Sequence, residues 1–276
     1  MQASLDAQGR VLALNIGTAG DAIMPRYYER VFPLMAAPID LPDKTTADGL
    51  FDLPYAVEHL QVRHQATRHG VPVGSWRSVG HSQNAFFGES FIDELAYEAK
   101  ADALAFRLER LTHLPRHAAV LKLAAEKANW GKPLPAGHAH GLALHESFNT
   151  IVAQVLEVSI ENKTPRVHRV VAAVDCGAVL NPGGVAQQME SAVMFGLAAA
   201  LYGRIDIEAG VVKQQNFPDY PLLTLAQTPA IETHTVASTR APSGMGEPGT
   251  PPVAPAVANA LFVLTGQRLR ELPLKL

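Results

Sequence analysis

The sequence predicts an α+β fold, and three observations predict it. Period-two alternation runs through three consecutive segments between Gly141 and Val174. A nearly all-apolar helical stretch follows at Asn181-Pro182. Nowhere do strands and helices alternate in the rhythm of a doubly wound parallel sheet. The strands are therefore expected to be antiparallel, with buried helices packed against them.

In chain order, Val11-Leu12-Ala13-Leu14-Asn15-Ile16 alternates as a strand after an Ala7-Gln8-Gly9 turn. The Pro- and Asp-rich stretch from Pro38 to Pro54 reads as a long surface connection. Helical spacing begins at Asn84 and continues to Leu111. Phe87, Phe91 and Leu95 share one face, and Leu104, Phe106, Leu108 and Leu111 fill a second amphipathic stretch after Asp102. His117 to Trp130 is a further helix, closed by Gly131 and Pro133. Gly141 to His145, Val152 to Ile160 and Val167 to Val174 read as strands, the last two joined by a turn around Asn162 to Pro165. Asn181 and Pro182 suit an N-cap and first helical position. The helix they open, reaching about Tyr202, is apolar on nearly all sides and is expected to be buried. Arg204 to Ile207 and Ile231 to Val236 are strand-like, and Val253 to Leu264 is the last helix.

The 276 residues are 47% hydrophobic and 18% charged, an ordinary globular composition. A formal net charge of −3 gives no electrostatic reason to expect nucleic acid or anionic lipid as a partner. Cys176 is the only cysteine, which excludes an intrachain disulfide and a cysteine-held zinc or iron–sulfur site. The N-terminal residues lack the basic and apolar regions of a signal peptide, and the longest apolar run, Ala192 to Tyr202, is too short to span a bilayer. A soluble chain without a transmembrane segment is expected, in a compartment the sequence leaves open.

Two segments could carry chemistry. Ser243-Gly244-Met245-Gly246-Glu247-Pro248-Gly249-Thr250-Pro251-Pro252 places one carboxylate among three glycines and three prolines, just before a buried helix. It reads either as a solvated turn or as a general base held on a fixed backbone. Gly74-Ser75-Trp76-Arg77-Ser78-Val79-Gly80-His81-Ser82-Gln83 offers Arg77, a planar donor fork suited to an anion or oxo group, or to an ordinary salt bridge. The same segment holds a rival. Gly80-His81-Ser82-Gln83-Asn84 is a near miss for a nucleophile elbow, and Asp175 and His234 follow in the order an α/β-hydrolase needs. Asn84 in place of the last elbow glycine, and hairpin strands downstream, count against it. His138, His140 and His145 form the densest histidine group, in what reads as a Gly/Pro-rich connection, without a carboxylate at ligand spacing. Cys176 reads as a small buried residue.

Four stretches in order carry a family resemblance: Pro72 through Phe86, Glu89 through Ala96, Val174-Asp175-Cys176-Gly177 through Asn181-Pro182 to Glu190, and Gly244 through Gly249. With them the sequence resembles the molybdopterin-binding large subunit of the xanthine dehydrogenase/aldehyde oxidase family. The branch it looks most like includes isoquinoline 1-oxidoreductase beta subunits and membrane-bound aldehyde dehydrogenases. The resemblance covers nearly all of residues 50 to 276. It implies the end of a first cofactor-binding domain over 1–135 and a second over 136–276.

It also implies molybdopterin, as the cytosine dinucleotide, carrying a molybdenum that the pterin holds, so that no side chain is a metal ligand. Glu247 would be the base taking a proton from a metal-bound hydroxyl, as an aldehyde or N-heteroaromatic carbon is oxidised with oxygen drawn from water. Arg77 would orient the substrate, and Trp76, Gly80, Gln188 and Gly246 would line the cofactor. Electrons would leave through a small subunit with 2Fe–2S clusters. The family's upstream glycine-rich loops have no counterpart in these residues, which implies a C-terminal part completed by a missing N-terminal part, or a non-catalytic fragment. Val79 stands where purine-oxidising members carry an aromatic ring, which argues against a purine.

Overall fold

The computed structural model describes residues 1–34 and 43–276, in two compact units, Met1–Pro115 and Arg116–Leu276. The break falls at the start of the helix that opens at Pro115, directly after that residue.

The first unit holds a three-stranded sheet of β1 (Gln2–Leu5), β2 (Val11–Asp21) and β3 (His59–Thr67) in that order. β1 pairs antiparallel to β2, but β2 pairs parallel to β3. Helices α1 (Ile23–Val31), α2 (Lys44–Ala47), α3 (Gly80–Glu98) and α4 (Ala103–Glu109) complete it. The expected surface connection is only partly one. Its Pro38 end lies outside the described residues, while Asp43 caps α2 by accepting from Thr45 N, and Thr46, Ala47 and Leu50 are buried. Asp102 caps α4 through the amides of Leu104 and Ala105. A buried polar knot fixes α4 on α3. Arg107, fully buried, donates from Nε to Glu89 Oε2 at 3.0 Å, and the Tyr55 hydroxyl donates to Glu89 Oε1 at 2.6 Å.

The second unit is built on a four-stranded sheet ordered β4 (His138–Ser147), β5 (Thr150–Glu161), β6 (Thr164–Asp175) and β9 (Ala230–Thr235). Two tight hairpins join the first three strands. Their turn residues, Phe148-Asn149 and Asn162-Lys163, all have positive φ, the backbone twist a two-residue hairpin requires. β9 runs parallel to β6, so both sheets depart from the expected all-antiparallel pairing. Each parallel pair joins strands far apart in the chain, which strand periodicity alone does not reveal.

Helix α5 (Pro115–Lys127) lies against one face of this sheet, where His117 meets Glu146. α7 (Val253–Thr265) lies against the other, so close that a Cβ on Gly141 would overlap the Ala256 carbonyl. With both faces covered, Leu142, Val152, Leu156, Val170 and Val174 lose almost all contact with solvent. α6 (Pro182–Tyr202) is capped by Asn181 Oδ1, which accepts from Gly184 N. It buries one stripe, including Val185, Met189, Val193, Gly196 and Leu197, and leaves Phe195 exposed, so the expected burial on all sides is corrected to one face. The expected strand at Arg204 to Ile207 is a two-residue pairing of β7 (Ile207–Glu208) with β8 (Val211–Val212), in an arm whose Phe217, Leu222 and Leu225 are exposed. None of the described helices is long and apolar enough to cross a membrane.

Candidate active site

Within the second unit, the segment around Glu247 is held by side chains from β5. Thr150 Oγ1 donates to the Gly244 carbonyl at 2.7 Å and lies 2.6 Å from the Ser243 hydroxyl, which must then be the donor to it. Gln154 Nε2 donates to the Gly249 carbonyl at 2.7 Å. Both side chains are fully buried and, four residues apart on one strand, share a face. The Ser243 amide also donates to the Cys176 carbonyl, and the Glu247 carbonyl accepts from Thr250 N across a turn through Pro248 and Gly249. Gly249 needs to be glycine, because a Cβ there would overlap Met189 and Ala192 of α6. Glu247 is thus half-buried on a backbone fixed at both ends.

The structure brings two of the expected cofactor residues together: a Cβ on Gly246 would stand 3.8 Å from Gln188 Oε1. Both residues are exposed. Behind them lies a charged cluster. Arg116 Nε donates to Asp175 Oδ2 at 2.7 Å, and Asp175 Oδ1 accepts from Gly177 N. Burial pushes the Asp175 carboxyl up, but the Arg116 hydrogen bond, the Gly177 amide and the charges of Arg116 and Arg240 outweigh it and hold the group below its usual range. Glu146 is lowered as well, first by its contact with His117, whose Nε2 lies 2.9 Å away. Asp175 therefore serves as a structural anion, and burial raises the Cys176 thiol.

Trp76, Arg77 and Gly80 belong to the first unit. Trp76 is exposed and Arg77 half-buried, in a tight turn where Ser78 and Val79 both take positive φ, 72° and 49°. For a β-branched valine that is a strained conformation, of the kind that clusters at functional sites. Gly80 opens α3, where a Cβ would overlap the backbone of Thr45 and Thr46. Close packing onto α2 thus accounts for this glycine without a ligand.

The rival readings lose their geometry. Ser82 lies inside the first turn of α3, its hydroxyl donated to the Arg77 carbonyl at 2.7 Å, and no strand leads into it. Asp175 is taken up by Arg116, and His234 lies within β9. His138 and His140 lie in β4 and not in a connection. His138 stacks on His168 at 4.3 Å and meets Glu157, while His140 stacks on Trp130. Among the described residues no group of three His, Cys, Asp or Glu side chains is arranged to hold a metal. Thr150 and Gln154 were not singled out from the sequence. The signal available for Gln154 was one amide in the otherwise apolar run Ile151-Val152-Ala153-Gln154-Val155-Leu156.

The fold and this loop define a class. The chain belongs to the molybdopterin cofactor-binding domain family, whose model matches residues 92–229. Among individual proteins it is similar to isoquinoline 1-oxidoreductase subunit beta of Brevundimonas diminuta, 35% identical over 99% of this chain and 35% of that protein. It is similar too to a membrane-bound aldehyde dehydrogenase of Gluconacetobacter polyoxogenes, 35% identical over 73% of this chain and 29% of that protein. In fold it matches quinoline 2-oxidoreductase from Pseudomonas putida 86 with a TM-score of 0.80 at 12% identity, covering 98% of this chain and 60% of that one. The chain thus spans about a third of the length of these curated relatives.

Proposed function

We propose that this chain forms part of the large subunit of a molybdenum hydroxylase that oxidises an aldehyde or an N-heteroaromatic compound, with water as the oxygen source. The observation that carries the reading is Glu247, half-buried on a Gly/Pro loop pinned at both ends, one residue from Gly246, whose open side faces Gln188. A cofactor edge is placed there on this reading, because Gly246 carries no side chain and the nearest atom to a Cβ at that position is Gln188 Oε1 at 3.8 Å. When bound, the molybdenum cofactor, as the cytosine dinucleotide, supplies the oxidant and the activated oxygen.

The chain's own residues do the rest. The Glu247 carboxylate accepts the proton released as oxygen is delivered to substrate, its position set by the fixed loop. Arg77 orients the substrate and stabilises the negative charge that develops on it, from a turn whose strained backbone supports a functional placement. Trp76 and Gly80 remain candidates for cofactor contact on the same turn, Gly80 through its backbone only.

Partners follow from the chemistry. Electrons pass to a small subunit carrying 2Fe–2S clusters. The remaining cofactor contacts come from the N-terminal part of a subunit of the relatives' length, and that part covers the apolar arm around Phe217 and Leu225. The test is Glu247→Gln in the full-length subunit expressed with its partner. Turnover is expected to fall roughly 10²–10⁴-fold with the bound molybdenum content unchanged. Near-normal turnover by that variant would sink the assignment of the base.

A further inference from the structure

The hydrogen bonds that hold the loop come from outside it, from two buried side chains of one strand. We infer that Thr150 and Gln154 are positioning residues that set the place of Glu247 by suspending its loop from β5. The inference rests on the reading of Glu247 as the base and adds what fixes it there.

Four features of the geometry support it. First, each side chain grips a backbone carbonyl, Gly244 and Gly249, on either side of Glu247, at 2.7 Å in both cases. Second, four residues along a strand span roughly 13 Å, while the five residue steps from Gly244 to Gly249 reach at most about 17 Å fully extended. The turn closed by Thr250 N and the Glu247 carbonyl uses up part of that reach, so the loop has little slack. Third, Thr150 and Gln154 are both fully buried on β5, where their neighbours Ile151, Val152, Ala153, Val155 and Leu156 are apolar and buried. A buried donor in that setting is costly unless its hydrogen bond is made, so the Thr150 hydroxyl and Gln154 Nε2 each favour one place for a loop carbonyl, while Gln154 Oε1 has no hydrogen-bond partner. Fourth, the loop cannot sink past these anchors, because Gly249 already touches Met189 and Ala192 of α6.

The expected consequence is kinetic. A misplacement of about 1 Å at a catalytic group is enough to cost on the order of 10²-fold in rate. Thr150→Val keeps the shape and removes the donor to Gly244, and Gln154→Leu removes the donor to Gly249. Thr150→Ser keeps the hydroxyl.

The experiment uses the full-length subunit with its partner and reads kcat, KM, bound molybdenum and amide hydrogen exchange in 243–250. Thr150→Val and Gln154→Leu are each expected to lower kcat roughly 10- to 100-fold and to speed exchange in that loop, while KM stays within about 2-fold and metal content is unchanged. Thr150→Ser is expected to stay within about 3-fold of the unaltered protein. Because the two variants act at opposite ends of the loop, failure of one to fold leaves the other as the test. Unchanged loop exchange and kcat in a folded variant overturn the inference, as does a loss of kcat in Thr150→Val that Thr150→Ser shares. Turnover retained in Glu247→Gln instead overturns the base itself, whatever the loop exchange shows.

Discussion

The two units bury different chemistry. The first centres on charge: Arg107 is fully enclosed with Glu89, Asp93 and the Tyr55 hydroxyl, and Arg26 is enclosed with Asp21 and Glu29. The second buries valine, leucine and alanine on both faces of its sheet, and of its fully buried polar side chains Thr150 and Gln154 serve the Glu247 loop. A core of paired charges is specific in geometry but fragile, since loss of one partner strands the other. An apolar sheet degrades gradually, and it gives a firm floor from which a few polar groups can hold a loop.

The largest effect is expected from Arg107→Ala, which leaves Glu89 and Asp93 facing each other without their cation. It should destabilise the first unit by roughly 3–5 kcal/mol. Hydrogen exchange of the α3 and α4 amides is the measurement, and full protection in that variant would break the contrast between the units.

A smaller effect, of opposite sign in pH, should separate them further. Burial, and then the charge of Glu89, push the Tyr55 hydroxyl well above its usual 10.0. The unfolded chain ionises this group near 10 while the folded unit holds it neutral, so stability is full below that value and falls as pH rises beyond it. Asp175 runs the other way. Its contribution is present above the ordinary 3.8 and is lost as pH falls through its lowered folded value. Alkaline loss of protection is therefore expected in α3 as pH passes 10.0, beside a separate loss near the buried Cys176 thiol at the end of β6, and acid loss is expected in β6. Tyr55→Phe should flatten the first and Asp175→Asn the second, and an alkaline loss in α3 that Tyr55→Phe leaves unchanged would count against the assignment.

The smallest effect is expected from Ile151→Val in the apolar sheet, about 0.5–1.5 kcal/mol by chemical denaturation. A larger loss would mean that this sheet is as brittle as the charged core.

These differences also explain what the sequence made legible. β4 to β6 were readable because alternation and turn residues agree, and α6 because Asn181 and Pro182 mark its start. β3 was missed because His59 to Thr67 is mostly polar and exposed, and α1 because Ala22 offers no capping side chain and Pro25 interrupts its first turn. The loop of Glu247 was legible from its glycines and prolines. Its anchors were not, since a lone Thr150 after a turn and a lone Gln154 in a strand gain meaning only when the loop is seen above them. The pairing of β6 with β9 had no local signal at all.

The suspension of the loop by its backbone has a consequence for how such a protein can change. Neither anchor grips a loop side chain beyond the Ser243 hydroxyl; the bonds end on the carbonyls of Gly244 and Gly249. Met245, between the anchors, takes part in none of these bonds. A substitution at Met245 changes the surface of the loop without removing either bond that holds the backbone around the carboxylate two residues away. If Glu247 is the base, residue 245 can then change under selection without loss of the two bonds that hold the carboxylate's loop.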